Sequence, residues 1–149
     1  MRDRSLNIIT LLAAVILSAC ASIEHRADFA SPSDGAILAA FGQPYGAAVS
    51  EGIYFGLEAG APIRASANGK VIFARAWSPV GAMIIVDHTH GLYTFYSGKI
   101  IFTVEEAEAV AKGQTIATGA PAEGENPALS FEIRRDGKPL DPGKLIAGF

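Results

Sequence analysis

Residues 127–142, with the sequence PALSFEIRRDGKPLDP, carry the clearest structural signal in this chain. Apolar and polar residues alternate from Leu129 to Ile133, which is the period of a strand with one buried face. Asp136-Gly137 can supply the positive φ angles of a two-residue hairpin turn. Pro139 and Pro142 are expected to stop further pairing. The stretch therefore predicts a strand, a tight turn and a short return.

Length and composition limit the possible classes of protein. A chain of 149 residues allows one domain with one modest core. Half of the residues are hydrophobic, which argues against a disordered chain. The formal net charge is −3, so nothing in the composition indicates a nucleic-acid partner.

The N-terminus has the features of a bacterial lipoprotein signal peptide, predicted at residues 1–19. Arg2 and Arg4 precede an apolar run at residues 8–17, which is shorter than the ~20 residues that a membrane-spanning helix needs. Leu17-Ser18-Ala19-Cys20 resembles the lipobox, in which the cysteine receives the lipid. We expect lipidation of Cys20, the only cysteine, and a stable membrane anchor. Ordinary secretion with cleavage after an A-x-A-like site is the alternative.

Residues 20–35 are predicted to be the lipidated cysteine followed by a flexible tether, and 36–149 the folded domain. The tether has no sustained period, and His25 in it is expected to be solvated. Ala21 stands where aspartate would often signal retention in the inner membrane. By resemblance to that sorting rule, the expected address is the outer membrane, facing the periplasm.

Short segments rich in β-branched and aromatic residues alternate with glycine turns in the domain, which predicts an all-β sandwich or barrel. Strands are predicted at residues 52–55, 62–65, 70–77, 83–87 and 92–96. Asn68-Gly69 is the strongest hairpin signal. Residues 36–41 fit a short helix or a first strand. Residues 104–112 are good helix formers, so that a helix and a strand-turn-strand both remain open.

The order of these turns resembles the lysostaphin/LytM-type zinc endopeptidases, which cut peptide cross-links in bacterial cell walls. The resemblance covers roughly residues 36–145 and implies an antiparallel duplicated-hybrid-motif fold. Its last core strand has the pattern HxHFE, then arginine, a glycine turn and a proline, and the chain keeps all of this except both histidines. The matching positions are Phe41-Gly42, Gly52-Ile53, Gly60, Pro62-Ile63, Ala65, Gly69, Val71, Asp87-His88, Gly91, Thr94, Tyr96, Val110, Lys112-Gly113-Gln114, Ile116, Gly119, Pro127, Phe131-Glu132, Arg134, Gly137 and Asp141-Pro142.

The resemblance implies five positions that carry the family's chemistry, and none keeps its residue type. The three zinc-ligand positions hold Ser50, Tyr54 and Ser130. The two positions of catalytic histidines hold Gly98 and Ala128. Hydroxyls are un-ionised at pH 7 and are poor zinc donors beside imidazole, while glycine and alanine cannot transfer a proton. We therefore expect neither a metal nor another cofactor, and a pseudoenzyme.

Other polar residues do not refill this site. His88 and His90 could share a strand face and hold a metal, but a third ligand is not evident, and structural or turn histidines are favoured. Glu123, Glu125 and Glu132 could suggest a carboxylate pair for glycoside cleavage, yet solvated glutamates are the simpler interpretation.

Degenerate domains of this family regulate peptidoglycan hydrolases, and some activate amidases. The resemblance thus implies a regulator that binds a hydrolase, and possibly peptidoglycan, through a groove with Ser50, Tyr54, Tyr96 and Ser130 as candidate contacts. Tyr54 would either anchor the partner or simply plug the empty site. A passive peptidoglycan-binding or structural lipoprotein, and a zinc endopeptidase with an unorthodox site, are the alternatives.

Overall fold

A computed structural model of the chain describes residues 28–78, 81–122 and 127–149. In these ranges the protein is all-β, as predicted. The strands are β1 (Ile37–Ala39), β2 (Pro44–Tyr45), β3 (Ala48–Val49), β4 (Ile53–Gly56), β5 (Pro62–Arg64), β6 (Gly69–Trp77), β7 (Gly81–Asp87), β8 (Leu92–Gly98), β9 (Ile100–Phe102), β10 (Ala109–Val110), β11 (Thr115–Gly119), β12 (Ala128–Arg135) and β13 (Lys138–Leu140), followed by a 3₁₀ turn at Pro142–Lys144.

Antiparallel pairing organises the strands into one large sheet and two small ones. The large sheet has the order β1-β4-β12-β8-β7-β6-β10, with β13 paired to β12. A second sheet has the order β5-β11-β9, and β2 and β3 form a separate hairpin. Residues of both larger sheets, including Phe55, Ile63, Ile116 and Phe131, belong to one buried hydrophobic cluster. The core therefore lies between these two sheets.

The predicted terminal hairpin is present and β12 is a central strand. Asp136 and Gly137 form its turn with φ angles of 50° and 80°, because both positions of this turn type need positive φ. The expectation that Pro139 stops pairing is wrong: it lies within β13, opposite Arg134. A proline is tolerated there because β13 is an edge strand.

Asn68-Gly69 is not a hairpin turn, contrary to the prediction. The preceding strand β5 pairs with β11, whereas β6, which begins at Gly69, pairs with β7 and β10. This segment instead passes from one sheet to the other. A Cβ at Gly69 would lie 2.5 Å from the carbonyl oxygen of Asp87, so the glycine is needed for close backbone approach.

Two segments that the sequence left open are now defined. Residues 37–39 form a strand. Residues 104–112 contain a turn at Ala107, whose φ is 72°, and the two-residue strand β10. Strong helix propensity is overridden here because residues Ala107 to Val110 hydrogen-bond and pair along the edge of β6.

Packing extends the domain beyond the expected boundary at residue 36, since part of the predicted tether lies on the core. Phe29 is 1% exposed and bridges to Ile146. The amide of Ala30 donates to the carbonyl oxygen of Ser66 at 2.8 Å, and the amide of Arg64 donates to that of Pro32 at 2.9 Å. Buried side chains run from Phe29 to Ile146, so residues 28–149 contain their own core.

Several predictions lie outside the described residues: the signal peptide, Cys20, His25, Glu123 and Glu125. Within the described part of the chain, no helix has the length and apolar character to cross a membrane.

Candidate functional site

Strand β12 positions the site because its two faces differ. Its apolar residues are buried, while Ser130 lies half-buried on the opposite face of the large sheet. Ser130 is paired with Tyr54 on β4 and with Ser97 on β8, and Ser97 is paired with Met83 on β7. We call these four residues, Tyr54, Ser130, Ser97 and Met83, the site row. The structure thus brings two of the three predicted degenerate ligand positions into direct cross-strand contact range.

Tyr54 is covered on one side by another aromatic ring. The rings of Tyr45 and Tyr54 are stacked, with centroids 3.9 Å apart and an interplanar angle of 20°. Both side chains are half-buried. Tyr45 is carried by the β2–β3 hairpin, so that this hairpin lies against the site row. Tyr54, which the resemblance assigns to the position of an aspartate ligand, is therefore part of an aromatic pair.

Ser50 does not reach the surface of the site. It is 3% exposed. Its hydroxyl donates to the carbonyl oxygen of Gly52 at 2.8 Å and accepts from the amide of Gly52 at 3.3 Å. Such a local turn occupies the hydroxyl, so Ser50 shapes the backbone before β4 and offers little surface for the partner contact that was predicted.

Gly98 and Ala128 lie against each other beside the middle of the site row, since Gly98 follows Ser97 on β8 and Ala128 lies two residues before Ser130 on β12. A Cβ at Gly98 would be 2.5 Å from the carbonyl oxygen of Ala128, and the φ of Gly98 is 154°. A side chain of any kind is therefore strained at this position. The backbone, and not only the residue type, excludes a catalytic histidine at position 98.

Tyr96, predicted as a groove contact, is a core residue. It is fully buried, on the face opposite Ser130. Its hydroxyl oxygen accepts from the amide of Ser66 at 2.8 Å and is hydrogen-bonded to the hydroxyl of Thr94 at 3.0 Å. Burial raises the pKa of Tyr96 to about 12, so the phenol stays neutral.

The buried chain of hydrogen bonds continues to His88. Its Nε2 lies 2.8 Å from the Thr94 hydroxyl, and its Nδ1 lies 2.6 Å from the carbonyl oxygen of Asn68. Burial lowers the pKa of this imidazole. With both nitrogens engaged, His88 is structural, whereas His90 lies in the turn after β7 with a φ of 52°.

A second row on the same face is apolar. Phe73, Ile85 and Phe95 are directly opposed on β6, β7 and β8, and all three are half-buried. The guanidinium of Arg134 lies 5.6 Å from the ring centroid of Phe95. Arg134 also donates to Glu132 at 2.6 Å and to Glu51 at 2.5 Å, so Glu132 is an ion-pair partner.

Sequence reasoning missed Tyr45, Ser97 and Met83. The family motif points to Tyr96, but strand alternation places Ser97 on the face of Ser130 once the pairing of β8 with β12 is known. Tyr45 could not be found from a pattern, because its contact with Tyr54 depends on where the hairpin folds.

The residues at the site do not fit a zinc ion. The available donors are two serine hydroxyls, one of them inside a backbone turn, and a phenol within a ring stack. Among residues 28–78, 81–122 and 127–149, no three histidine, cysteine or acidic side chains are grouped so that they could hold a metal.

Comparison with known sequences establishes the class of protein. Residues 48–142 match peptidase family M23, so the chain belongs to this family. The fold is similar to the solved structure of a zinc-containing peptidase from Vibrio cholerae, with a TM-score of 0.66 and 25% sequence identity. The match covers 76% of this chain and 39% of that chain.

Particular relatives carry more specific names. The chain is 33% identical over 116 residues to the murein hydrolase activator NlpD of Salmonella typhimurium. The matched segment covers 77% of this chain and 30% of that protein. It is 30% identical over 115 residues to the lipoprotein NlpD/LppB homolog of Pseudomonas aeruginosa. Here the matched segment covers 76% of this chain and 38% of that protein. The chain thus spans about a third of the length of these relatives.

Proposed function

We propose that this chain is a catalytically inactive M23 domain that binds a peptidoglycan hydrolase in the bacterial cell envelope and activates it. The observation that carries the proposal is the aromatic stack on Tyr54, which the resemblance assigns to a ligand position. Tyr54 lies directly opposite Ser130 and is covered by Tyr45, so the two predicted ligand positions present an aromatic and hydroxyl surface.

Loss of proton-transfer groups also supports an inactive domain. Ala128 has no titratable group, and the backbone at Gly98 leaves no room for one. A zinc peptidase needs a metal-activated water and a nearby base. Neither function can be assigned to the described side chains on this face.

The composition of the face favours a protein partner. Phe73, Ile85, Phe95 and Met83 offer a half-exposed apolar surface, and apolar and aromatic residues dominate the centres of protein interfaces. The NlpD relatives are named murein hydrolase activators, and this name supports a peptidoglycan hydrolase as the partner.

For its location, we propose a lipid anchor at Cys20 that holds the domain on the outer membrane facing the periplasm. The lipobox-like sequence and the lipoprotein relative from Pseudomonas aeruginosa support an envelope lipoprotein. Fractionation of membranes tests the anchor. We expect the wild-type protein to leave the membranes only when detergent is added, and the Cys20→Ala variant to be found in the soluble fraction without detergent.

Activation can be measured with dye-labelled sacculi. Purified residues 21–149 are added to each amidase and endopeptidase of the same envelope, and dye release is followed with and without the domain. We expect a large increase in rate with at least one hydrolase. Unchanged rates with every hydrolase, together with retained binding to sacculi, would contradict the proposal and support a passive binding protein.

A further inference from the structure

The β2–β3 hairpin is attached to the rest of the protein mainly through one side chain. All residues at positions 42–49 are exposed except Tyr45, which is half-buried. At its base, the amide of Gly42 donates to the carbonyl oxygen of Ser50, and the amide of Ser50 donates to the carbonyl oxygen of Gln43, each at 2.8 Å. Beyond the base, Tyr45 contacts the large sheet through its stack on Tyr54.

The ring stack shows which kind of side chain can pack on Tyr54. Its ring face is covered by a second, nearly parallel aromatic ring, with the two ring centroids 3.9 Å apart. The neighbours along the site row are the small Ser130 and Ser97 hydroxyls and the flexible Met83 side chain. Because serine is small and methionine is flexible, a planar side chain that lies flat over the sheet would meet little bulk here.

We propose that Tyr54 is an aromatic-binding subsite, that Tyr45 occupies it in the free protein, and that a partner replaces Tyr45 with an aromatic side chain of its own. The partner segment therefore presents a phenylalanine, tyrosine or tryptophan toward β4, flanked by apolar residues that cover Met83 and the Phe73–Ile85–Phe95 row.

The exchange needs little rearrangement. The hairpin turn contains Gly46 with a φ of 62°, and Gly42 at the base has a φ of 78°. One glycine thus lies before β2 and the other directly follows Tyr45. Both allow the backbone angles around Tyr45 to change without a side-chain clash. The base hydrogen bonds can persist while Tyr45 leaves Tyr54, because they involve residues 42, 43 and 50 and not the tip.

The first test needs no hydrolase. The probe is 4-methylphenol, which is the tyrosine side chain without its backbone, titrated into isotope-labelled protein and followed by NMR. With Tyr45→Ala we expect saturable shifts of the Tyr54 ring at millimolar concentrations, and at least severalfold weaker binding to the wild type. The double variant Tyr45→Ala/Tyr54→Ala should show no saturable shift. Equal binding to all three proteins, or none to Tyr45→Ala, would overturn the proposal.

The second test rests on the proposed function and uses the hydrolase that the wild-type domain activates. Removing the internal competitor should lower the concentration for half-maximal activation about two- to tenfold in Tyr45→Ala, whereas Tyr54→Ala should raise it by a similar factor. Tyr93→Ala, a half-buried tyrosine of β8, is the matched control and should change nothing. A loss of activation in Tyr45→Ala would show that Tyr45 itself is a docking residue, and the inference would fail. Failure of the wild type to activate any hydrolase would contradict the proposed function, while the first test would still judge the subsite.

Discussion

Two glycines on either side of Ala128 allow a sharp test of whether the backbone admits a side chain at position 98, one of the two predicted catalytic-histidine positions. Gly56 on β4 is paired with Ala128, and Gly98 on β8 approaches its carbonyl oxygen. An added Cβ at Gly98 would lie 2.5 Å from that oxygen, at a φ of 154°. An added Cβ at Gly56 would find its nearest neighbour at 3.7 Å, which is an ordinary contact.

The expected costs differ in size. Gly98→Ala combines an overpacked contact with a strained backbone, each of which typically costs about 1–3 kcal/mol, so we expect a loss of about 2–6 kcal/mol in the free energy of unfolding. Gly56→Ala has neither problem and also removes conformational freedom from the unfolded chain, so it should be neutral or stabilising by up to about 1 kcal/mol.

Urea denaturation followed by circular dichroism would measure both variants. The unfolding midpoint should fall clearly for Gly98→Ala and stay near the wild type for Gly56→Ala. Gly98→His should be at least as destabilised as Gly98→Ala and should gain no hydrolytic activity. Equal midpoints for the two alanine variants would refute the claim that the backbone excludes a side chain at position 98.

Three further outcomes are expected. Tyr96→Phe should lower the free energy of unfolding by about 1–3 kcal/mol, because the buried Ser66 amide loses its acceptor, whereas Tyr93→Phe at a half-buried site should cost under about 0.5 kcal/mol; chemical denaturation compares them. The lowered pKa of His88 means that the unfolded chain, with a histidine pKa of about 6.5, binds the proton more readily, so this stabilisation is complete above about pH 6.5 and is lost as the pH falls below it. Denaturation midpoints at pH 7.5 and 5.5 should therefore differ more in the wild type than in His88→Gln, and a larger pH effect in the variant would contradict this. Finally, a molar excess of zinc should leave the melting temperature of the protein unchanged in a thermal-shift assay, since a tight site would raise it.

Much of the fold could be predicted because its signals are local. Alternation in β12 and the Asp136-Gly137 turn are properties of adjacent residues, and both are present in the structure. The Asn68-Gly69 prediction failed for the opposite reason. The same dipeptide can turn a hairpin or begin a strand that must pass close to another backbone, and only the long-range pairing of β5 with β11 decides between them.

Motif spacing singled out Tyr54 and Ser130, which the structure places side by side. Their assignment as degenerate ligand positions stays a prediction. Motif spacing misassigned Tyr96, because the motif does not say which face of β8 a residue occupies. The Tyr45 stack joins residues from a hairpin and a sheet, so it depends on tertiary packing that no sequence period encodes.

The rate at which the purified domain alone cleaves cross-linked sacculi in zinc-containing buffer tests most directly whether this M23 scaffold has lost its chemistry. An active zinc peptidase of the family serves as the positive control. We expect no release of peptidoglycan fragments above the rate in buffer. Release that depends on the domain and is abolished by a metal chelator would contradict the account.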